Sequence, residues 1–332
     1  MDANGSNSSH SRMASGDLNI LYKYHSMKTK WSRCFEDRDP RLADFVKRFF
    51  TNFYREHRKF TFLVGELLDG TRHLLVSPPK YQQIKQEIEE EIEEILPEVA
   101  EVRDAKIVKQ KKSFGNLQAF IDYCENLRDE NLEIEKRKRE KAKRRVRELY
   151  RTLKANPAAL ILAFDLEVYE HDHSIVLEIG YVMANFNEPE RIHTFHYIIE
   201  ENQRYKNKDH LPDNRSRFIF GTSKTLSLQR AAREIQEHIE ESDFLVNHMH
   251  SGEHDREFLS SCGVSLSDKP MFDTQILAMA LLPEGPLYYS LKRLLVDLKI
   301  QFEANALHNC GNDAHYTMQA FLALARLSRG RH

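Results

Sequence analysis

The stretch AALILAFDLEV, residues 158–168, decides the fold, because a nearly continuous apolar run ends there in two acidic residues. An apolar run of this length, following a Pro break, predicts a buried strand. Asp165 and Glu167 are two positions apart, so both side chains should point to the same face of that strand. Open α/β sheets place their ligand sites at the carboxyl ends of such strands. The alternative interpretation of this D-x-E pair is a charged strand end that faces solvent.

The sequence after this strand is rich in strand patterns and then alternates with helices. SIVLEIGYVMANF (174–186) and RIHTFHYIIE (191–200) predict two more strands, so that the first three form a meander. DFLVNH (243–248) and FDTQ (272–275) predict a fourth and a fifth strand. Helices are expected over about residues 226–241, 253–262, 287–298 and 313–327. This order favours an α/β domain over residues 157–332, with a mixed sheet flanked by helices and the acid-bearing strand at its centre.

The N-terminal half follows different patterns. Residues 1–16 are small and polar and predict a disordered tail. Residues 17–115 predict a mostly helical α+β module with an acidic helix, because apolar residues recur at helical spacing over residues 41–60. The segment at 59–79 predicts a hairpin, since its Asp69-Gly70 pair supplies the positive φ angles of a tight turn. Residues 116–156, without Gly or Pro, predict one long charged helix.

The charges are balanced overall and separated locally. The chain has 49 Lys and Arg against 51 Asp and Glu, so no net field marks it as a polyanion binder. Residues 85–104 hold nine acids and two bases, whereas residues 135–151 hold ten bases and three acids. The basic block has three interpretations: a phosphate-tracking face, a nuclear localisation signal, or a solvated helix paired with the acidic block. Its candidate phosphate contacts are Lys141, Lys143, Arg144 and Arg145.

Cysteine usage and hydropathy indicate the compartment. Cys34, Cys124, Cys262 and Cys310 are far apart and form no CxxC pair, which excludes a zinc ribbon and a dense disulfide scaffold. No apolar run approaches the roughly 20 residues of a membrane span, and the polar start is unlike a signal peptide. We therefore expect a soluble intracellular protein, cytoplasmic or nuclear.

Two further segments place an acid beside histidines. In HSGEHDREFL (250–259), Asp255 is expected to open a helix, and in HNCGNDAHYTMQAFLAL (308–324), His308 precedes Asp313 by five residues. Each Asp also has a local interpretation, as a partner of a helix dipole or as a cap. A zinc site at His248, His250 and His254 is the less favoured alternative, because no Cys or fourth ligand is near. Asp273 is expected to be the N-cap of a helix.

The motifs AFDLE, HSGEHDREFL, FDTQILA, YYSLKRLL and HNCGNDAHYTMQAFL together resemble those of the DEDDh subgroup of DnaQ-like 3′-to-5′ exonucleases. The resemblance covers residues 158–327 and implies an RNase H-like fold. It also implies two divalent cations, Mg²⁺ or Mn²⁺, with His308 as the general base. The ligands it implies are Asp165, Glu167, Asp255 and Asp313. The chemistry agrees, because hard cations prefer carboxylate oxygens and two of them can serve the entering and leaving oxygens of phosphodiester hydrolysis.

The sequence departs from the family pattern at two places. The family usually follows its first motif with Thr or Ser and then Gly, whereas here Glu167 is followed by VYEHDH. Ser251 stands where the family commonly has Asn. Glu178 recurs in the family's second strand and is given no catalytic role. The residues expected to line the substrate are Leu166, Val168, His250 and Phe258. A looser similarity, over residues 195–228, is to a fungal branch linked to mRNA export and RNA silencing.

These observations predict a metal-dependent 3′-to-5′ exonuclease that hydrolyses single-stranded nucleic acid, RNA in preference to DNA, to nucleoside monophosphates. The alternative is a catalytically weak adaptor in RNA metabolism, with the exonuclease fold, that binds RNA or docks a protein partner through its N-terminal half. The long helix also offers a surface for a homodimer. A purely structural role for the charged helices leaves His308 and the four acids unexplained.

Overall fold

The computed structural model describes residues 20–56, 61–102, 105–209, 212–248, 259–266 and 269–329, with the backbone alone for residues 52–56. The chain divides into two compact units, Met1–Ile134 and Glu135–His332. The tail predicted over residues 1–16 lies outside the described residues. In the described part of the chain, no helix combines the length and the apolar character that crossing a membrane requires.

The first unit is built on a five-stranded antiparallel sheet in the order β4-β1-β3-β2-β5. Its strands are β1 (Leu21–Lys23), β2 (Phe62–Glu66), β3 (Arg72–Val76), β4 (Glu101–Val102) and β5 (Lys106–Lys112). Its helices are α1 (Tyr24–Glu36), α2 (Pro40–Glu56), α3 (Pro78–Ile92) and the first part of α4 (Leu117–Ala155). The predicted α+β class is confirmed, and the boundary between the units falls inside α4.

Strands β2 and β3 form the predicted hairpin. Gly70 has a φ of +71°, a conformation that glycine adopts without steric cost, and its N–H donates to the Leu67 carbonyl over 2.8 Å. The Leu67 N–H in turn donates to the Thr71 carbonyl over 2.9 Å, and Asp69 Oδ1 accepts from the Thr71 N–H over 2.8 Å. The connection is therefore longer than a two-residue turn.

The core of the first unit is aromatic. Trp31, Phe50, Phe62 and Tyr81 are almost completely buried, and Tyr22 stacks on Tyr81 with 3.8 Å between the ring centroids. Such rings bury large apolar areas and so contribute most of the stabilisation of a small core. Trp31 is the one tryptophan of the chain, and its indole N–H donates to the Pro97 carbonyl over 2.9 Å.

The second unit contains a six-stranded mixed sheet in the order β11-β10-β6-β7-β8-β9. Its strands are β6 (Leu160–Tyr169), β7 (Asp172–Asn185), β8 (Glu188–Ile199), β9 (Lys224–Leu226), β10 (Phe244–Asn247) and β11 (Met271–Asp273). Strands β6, β7 and β8 form the antiparallel meander, and β10 and β11 continue it in parallel with β6. The predicted mixed sheet, with β6 inside it, is confirmed. Strand β9 lies outside the predicted strands, because its three residues carry no alternating pattern.

Four helices that lie wholly within the described residues of the second unit flank the sheet, besides the end of α4. They are α5 (Leu228–Glu241), α6 (Thr274–Leu281), α7 (Leu291–Asp297) and α8 (Cys310–Arg329). Capping side chains set the starts of two of them, since Ser227 Oγ accepts from the Arg230 N–H and Ser290 Oγ from the Arg293 N–H. Both helices therefore begin later than the apolar periodicity indicated. The helix predicted over residues 253–262 lies mostly outside the described residues.

The strands of the second unit alternate between two hydrophobic clusters. On β10, Phe244 and Val246 pack with α8, whereas Leu245 packs with α5 on the opposite face. On β6, Ile161 and Ala163 belong to the α8 cluster, and Leu162, Phe164 and Leu166 belong to the α5 cluster. The period of two along β6 assigns the odd-numbered residues to the α8 face.

Candidate active site

Asp165 and Glu167 continue the odd-numbered series of β6 and therefore lie on the α8 face of the sheet. Both residues are half-buried, at the point where the apolar part of the strand ends. The strand brings the two carboxylates to one face at the carboxyl end of a central strand, as the D-x-E spacing predicted.

Gly180 allows α8 to come close to these acids. In the β6–β7 ladder Gly180 is the partner of Asp165. A β-carbon on residue 180 would lie 2.2 Å from the carbonyl carbon of Cys310 and 2.4 Å from the Gly311 nitrogen, distances that atoms do not adopt. Gly311 is equally confined, because a β-carbon there would lie 2.8 Å from His196 Cβ. Two glycines thus permit the first turn of α8 to lie against the sheet beside Asp165.

That first turn carries Asp313. Asp313 Oδ2 accepts a hydrogen bond from the His308 backbone N–H over 3.0 Å, while Asp313 Oδ1 is buried and has no hydrogen-bond partner among the described residues. Ligand atoms of Glu167, His308 and Asp313 all lie within 4.8 Å of one another. Burial raises the pKa of Asp313 to about 7; the charge of Glu178 adds to this shift, and the His308 N–H opposes it.

A divalent cation fits this arrangement. Among the described residues, no donor reaches Oδ1 of Asp313, and a buried carboxylate without a partner is costly. A bound cation would satisfy that oxygen and would favour the ionised carboxyl group. The donors of the cluster are carboxylates and an imidazole, with no thiolate among them, which suits hard cations such as Mg²⁺ and Mn²⁺. The residues that would hold a cation are Asp165, Glu167 and Asp313.

His308 sits beside these acids in an unusual backbone conformation. Its φ is +62°, in the left-handed region that few residues other than glycine adopt. This conformation lets the His308 N–H point back at Asp313 while the ring stays exposed to solvent. Partial burial lowers the pKa of His308, so the ring is neutral and able to accept a proton at physiological pH.

A network of three asparagine side chains holds the loop that carries His308. Asn214 Nδ2 donates to the Leu307 carbonyl over 2.5 Å, and Asn309 Nδ2 donates to the Asn214 carbonyl over 3.1 Å. Asn312 Nδ2 donates to the Ala306 carbonyl over 2.8 Å, and its Oδ1 accepts from the Ile219 N–H over 3.0 Å. Three of these four bonds join residues more than 90 positions apart, and together the four fix the loop on both sides of His308.

Glu178, to which the sequence analysis assigned no catalytic role, lies beside the site. It is 3% exposed and is the β7 partner of Glu167. Its Oε2 contacts His196 Nε2 over 2.7 Å and accepts from Asn309 Nδ2 over 3.3 Å. The signal in the sequence is an acid inside the apolar strand SIVLEIGYVMANF, which requires buried partners.

The other predicted site residues are distributed as follows. Asp255, His250, His254 and Phe258 lie outside the described residues. Leu166 lies in the α5 cluster and Val168 packs against it, on the face of β6 opposite the acids, and their contact with substrate stays a prediction. Alternation along β6 explains this placement.

His248 and Asp273 have structural partners in the described part of the chain. His248 Nδ1 contacts Thr274 Oγ1 over 2.7 Å, and its Nε2 contacts the Tyr289 carbonyl over 3.0 Å. Both ring nitrogens are therefore engaged, which disfavours the zinc interpretation. Asp273 caps α6 as predicted, because its Oδ1 accepts from the Gln275 N–H over 2.7 Å.

The basic part of α4 has a packed face and an exposed face. Val146, Leu149 and Leu153 are buried in the α8 cluster. Arg145 donates to the Met271 carbonyl and lies 5.2 Å above the Phe272 ring, so its guanidinium group is used in packing. The other three candidate phosphate contacts, Lys141, Lys143 and Arg144, are exposed. Lys143 pairs with Glu140 over 2.6 Å.

Comparison with known proteins identifies the second unit. Residues 160–324 match the family model described as DNA polymerase III subunit epsilon-like, C-terminal domain, of DEDDh type. An uncharacterised nucleolar protein of Schizosaccharomyces pombe, C2C4.08, is 30% identical over 173 residues, which are 50% of this chain and 69% of the relative. The chain belongs to the DEDDh family of DnaQ-like exonucleases.

Two solved structures are similar to this DEDDh domain. One, of a 3′-exonuclease that recognises the 3′ end of a histone mRNA stem-loop, has a TM-score of 0.36 and 16% identity. The other, of a full-length 3′-exonuclease, has a TM-score of 0.35 and 15% identity. Each covers 52% of this chain and 83% of the solved chain. The match to the family model confirms the predicted family, which is one of divalent-metal-dependent exonucleases, and the mixed sheet flanked by helices is the predicted fold.

Proposed function

We propose that this DEDDh domain is a metal-dependent 3′-to-5′ exonuclease that acts on single-stranded nucleic acid and releases nucleoside monophosphates. The observation that carries the proposal is the Asp313 carboxyl group, buried with an unpartnered oxygen beside Glu167 and His308. A carboxylate in that state is expected where a cation is to be bound, and a neutral imidazole beside it is expected where a water is to be deprotonated.

Each residue has a separate task in this mechanism. Asp165, Glu167 and Asp313, with Asp255, would hold two divalent cations, which when bound supply an acidified water and neutralise charge on the phosphate. His308 accepts the proton of the attacking water through its exposed imidazole ring. The N–H of His308 fixes Asp313 Oδ2, so one residue orients a metal ligand with its backbone and moves a proton with its side chain.

We propose RNA as the preferred substrate over DNA and the cytoplasm or nucleus as the compartment. Two observations support this choice: the similarity of residues 195–228 to a fungal branch linked to RNA, and the nucleolar location in the name of the S. pombe relative. The exposed bases of α4, Lys141 and Arg144, are proposed as phosphate contacts for a longer substrate. The first unit is proposed as the docking site for a protein partner or a second copy of the chain.

The test is degradation of 5′-labelled single-stranded RNA and DNA of one sequence by the full-length protein with Mn²⁺ or Mg²⁺. We expect a ladder that shortens from the 3′ end, faster on RNA, and no shortening when the 3′ end carries a phosphate. Asp313→Asn should abolish the ladder, and His308→Ala should lower the rate about 100-fold or more.

Glu188→Gln is the matched acid control, because Glu188 pairs with Arg191 at the opposite end of β7 and β8 and lies outside the site. It should degrade RNA as the wild type does. Intact oligomers in every lane, together with retained RNA binding, would contradict the nuclease and support the adaptor alternative.

A further inference from the structure

Strand β6 ends in an aromatic residue, Tyr169, that is not among the candidate metal ligands. Two residues beyond Glu167 the strand stops at Tyr169, and Glu170 and His171 turn the chain back into β7. The Thr-Gly pair typical of the family at this point is replaced by Val168 and Tyr169. An aromatic residue thus follows the candidate cation ligand Glu167 by two positions.

The loop Arg204–Lys208, with the sequence RYKNK, is fixed to the end of this strand. Asn207 is 4% exposed; its Nδ2 donates to the Val168 carbonyl and its Oδ1 accepts from the Glu170 N–H, each over 2.9 Å. The Glu170 carboxylate accepts from the Lys208 N–H over 2.9 Å. Arg215, itself mostly buried, donates to the Tyr205 carbonyl over 2.6 Å. These bonds hold the loop beside Tyr169 from both of its ends.

The loop presents an aromatic surface there. Tyr205 and Tyr169 are both half-exposed, with 5.1 Å between their ring centroids. The Arg204 guanidinium lies 4.8 Å above the Tyr205 ring, and the His171 ring is 5.2 Å from Tyr169. Half-exposed aromatic rings of this kind stack with nucleobases regardless of sequence, since every base has a π-face.

The same loop carries three exposed cations, Arg204, Lys206 and Lys208. The nearby acids already have partners. Asp209 contacts His171 over 2.9 Å, and Asp213 is held by Arg215 over 2.7 Å. The loop therefore offers three cations beside two aromatic rings, groups that complement the phosphates and bases of a single strand.

We propose that the loop Arg204–Lys208 and Tyr169 form the subsite that seats the 3′-terminal nucleotides of a single-stranded nucleic acid. A base stacks on Tyr205 and Tyr169, while Arg204, Lys206 and Lys208 contact the phosphates. This inference rests on the proposed nuclease function. In it, Tyr169 and a loop from a distant part of the chain take the place of the Thr or Ser and Gly that usually follow the first motif of the family.

The test is binding of a fluorescent single-stranded 12-mer to the full-length protein in EDTA, so that no hydrolysis intervenes. Tyr205→Ala should weaken binding about tenfold, whereas Tyr205→Phe, which keeps the ring, should bind as the wild type does. Lys206→Ala should weaken binding and reduce the dependence of log Kd on log salt concentration by about 0.7. Arg191→Ala is the charge-matched control on a surface at the other end of the sheet, and it should change neither quantity.

A second readout locates the base. With 2-aminopurine at the 3′ terminus, wild-type binding should quench the fluorescence through stacking, and Tyr205→Ala should remove that quenching. Unchanged affinity, salt dependence and quenching in both Tyr205→Ala and Lys206→Ala would overturn the subsite, even if the protein degrades RNA normally. Loss of binding in these variants, in a wild type that binds but does not degrade RNA, would support the subsite and refute the nuclease. Absence of wild-type binding would overturn the subsite.

Discussion

Gly180 packs so closely under Cys310 that a β-carbon at position 180 would lie 2.2 Å from the Cys310 carbonyl carbon. The contact joins the strand opposite Asp165 to the helix turn that carries Asp313. The absence of a side chain at Gly180, together with that at Gly311, therefore allows helix α8 to lie close to the sheet and Asp313 close to Asp165.

Gly180→Ala should move the first turn of α8 and weaken the site. The clash is with backbone, so it cannot be relieved by a rotamer change, and we expect a loss of about 1–3 kcal/mol in the free energy of unfolding. Gly115→Ala is the matched control, because a β-carbon there meets no atom within 4 Å. Urea unfolding and the Mn²⁺ dependence of Tm measure both variants; equal Tm and equal Mn²⁺ response in Gly180→Ala and wild type would contradict this account.

Mn²⁺ should stabilise the protein through Asp313. A ligand that binds only the folded state raises stability by about 2.7 kcal/mol at 100 times its Kd. We expect a rise of Tm with Mn²⁺ in the wild type and its absence in Asp313→Asn, which keeps the size of the side chain and removes its charge. Glu303→Gln, an exposed acid, should keep the full response. Differential scanning calorimetry in EDTA and in Mn²⁺ measures the difference.

Glu178→Ala should destabilise the second unit severely. The change leaves His196 Nε2 and Asn309 Nδ2 buried without their shared acceptor, and breaking a buried pair of this kind costs about 3–5 kcal/mol. Glu188→Ala removes an exposed partner of Arg191 and should cost about 0–1 kcal/mol. If urea unfolding gave equal losses for the two variants, the buried network would have no special importance for stability.

The stability of the first unit should fall in acid because of His73. Burial, helped by the charge of Lys23, lowers the pKa of His73 to about 4, and Asp69 opposes that shift. An unfolded histidine binds its proton near pH 6.5, so protons favour the unfolded state between about pH 6.5 and 4. The contribution of His73 to the free energy of unfolding is fully present above about pH 6.5. It is lost as the pH falls from about 6.5 to 4, and the loss is about 2 kcal/mol for this half-buried ring.

Trp31 provides the measurement, because this one tryptophan lies in the core of the first unit. Urea unfolding followed by tryptophan fluorescence at pH 7.5 and pH 4.5 should show a smaller acid loss in His73→Gln than in the wild type. His193→Gln, at an exposed position of the second unit, should leave the acid loss unchanged. An acid loss of the same size in His73→Gln would assign the effect to other groups.

The sequence predicted those parts of the fold and the site that depend on local patterns. The apolar run before Asp165 located the central strand, and the five-residue spacing of His308 and Asp313 located two residues that the structure brings together. The sequence predicts that the last helix begins at Asp313, whereas α8 begins at Cys310. The reason is Asn309, whose Oδ1 accepts from the Asn312 N–H over 3.1 Å and starts the helix earlier.

The parts that could not be predicted depend on contacts between distant residues. Glu178 is recognisable as a buried acid only when His196 and Asn309 are seen to surround it. Asn207 lies in a polar stretch without periodicity, and its bonds to Val168 and Glu170 span nearly 40 positions. Hydrogen bonds from amide side chains to backbone carbonyls have no periodicity and leave no pattern in the sequence.

Three asparagine amides bond the loop around His308 to neutral carbonyl oxygens, in addition to the bonds that Asp313 and Glu178 make there. Asn214, Asn309 and Asn312 donate from amides to carbonyl oxygens, and none of these bonds gains or loses a proton or is screened by salt. These amide-to-carbonyl bonds that support the His308 loop thus carry no charge, although titrating and ion-binding groups surround them. Added salt should consequently weaken the hold on a polyanionic substrate and leave the position of the imidazole ring unchanged, so that KM rises with ionic strength while kcat stays constant.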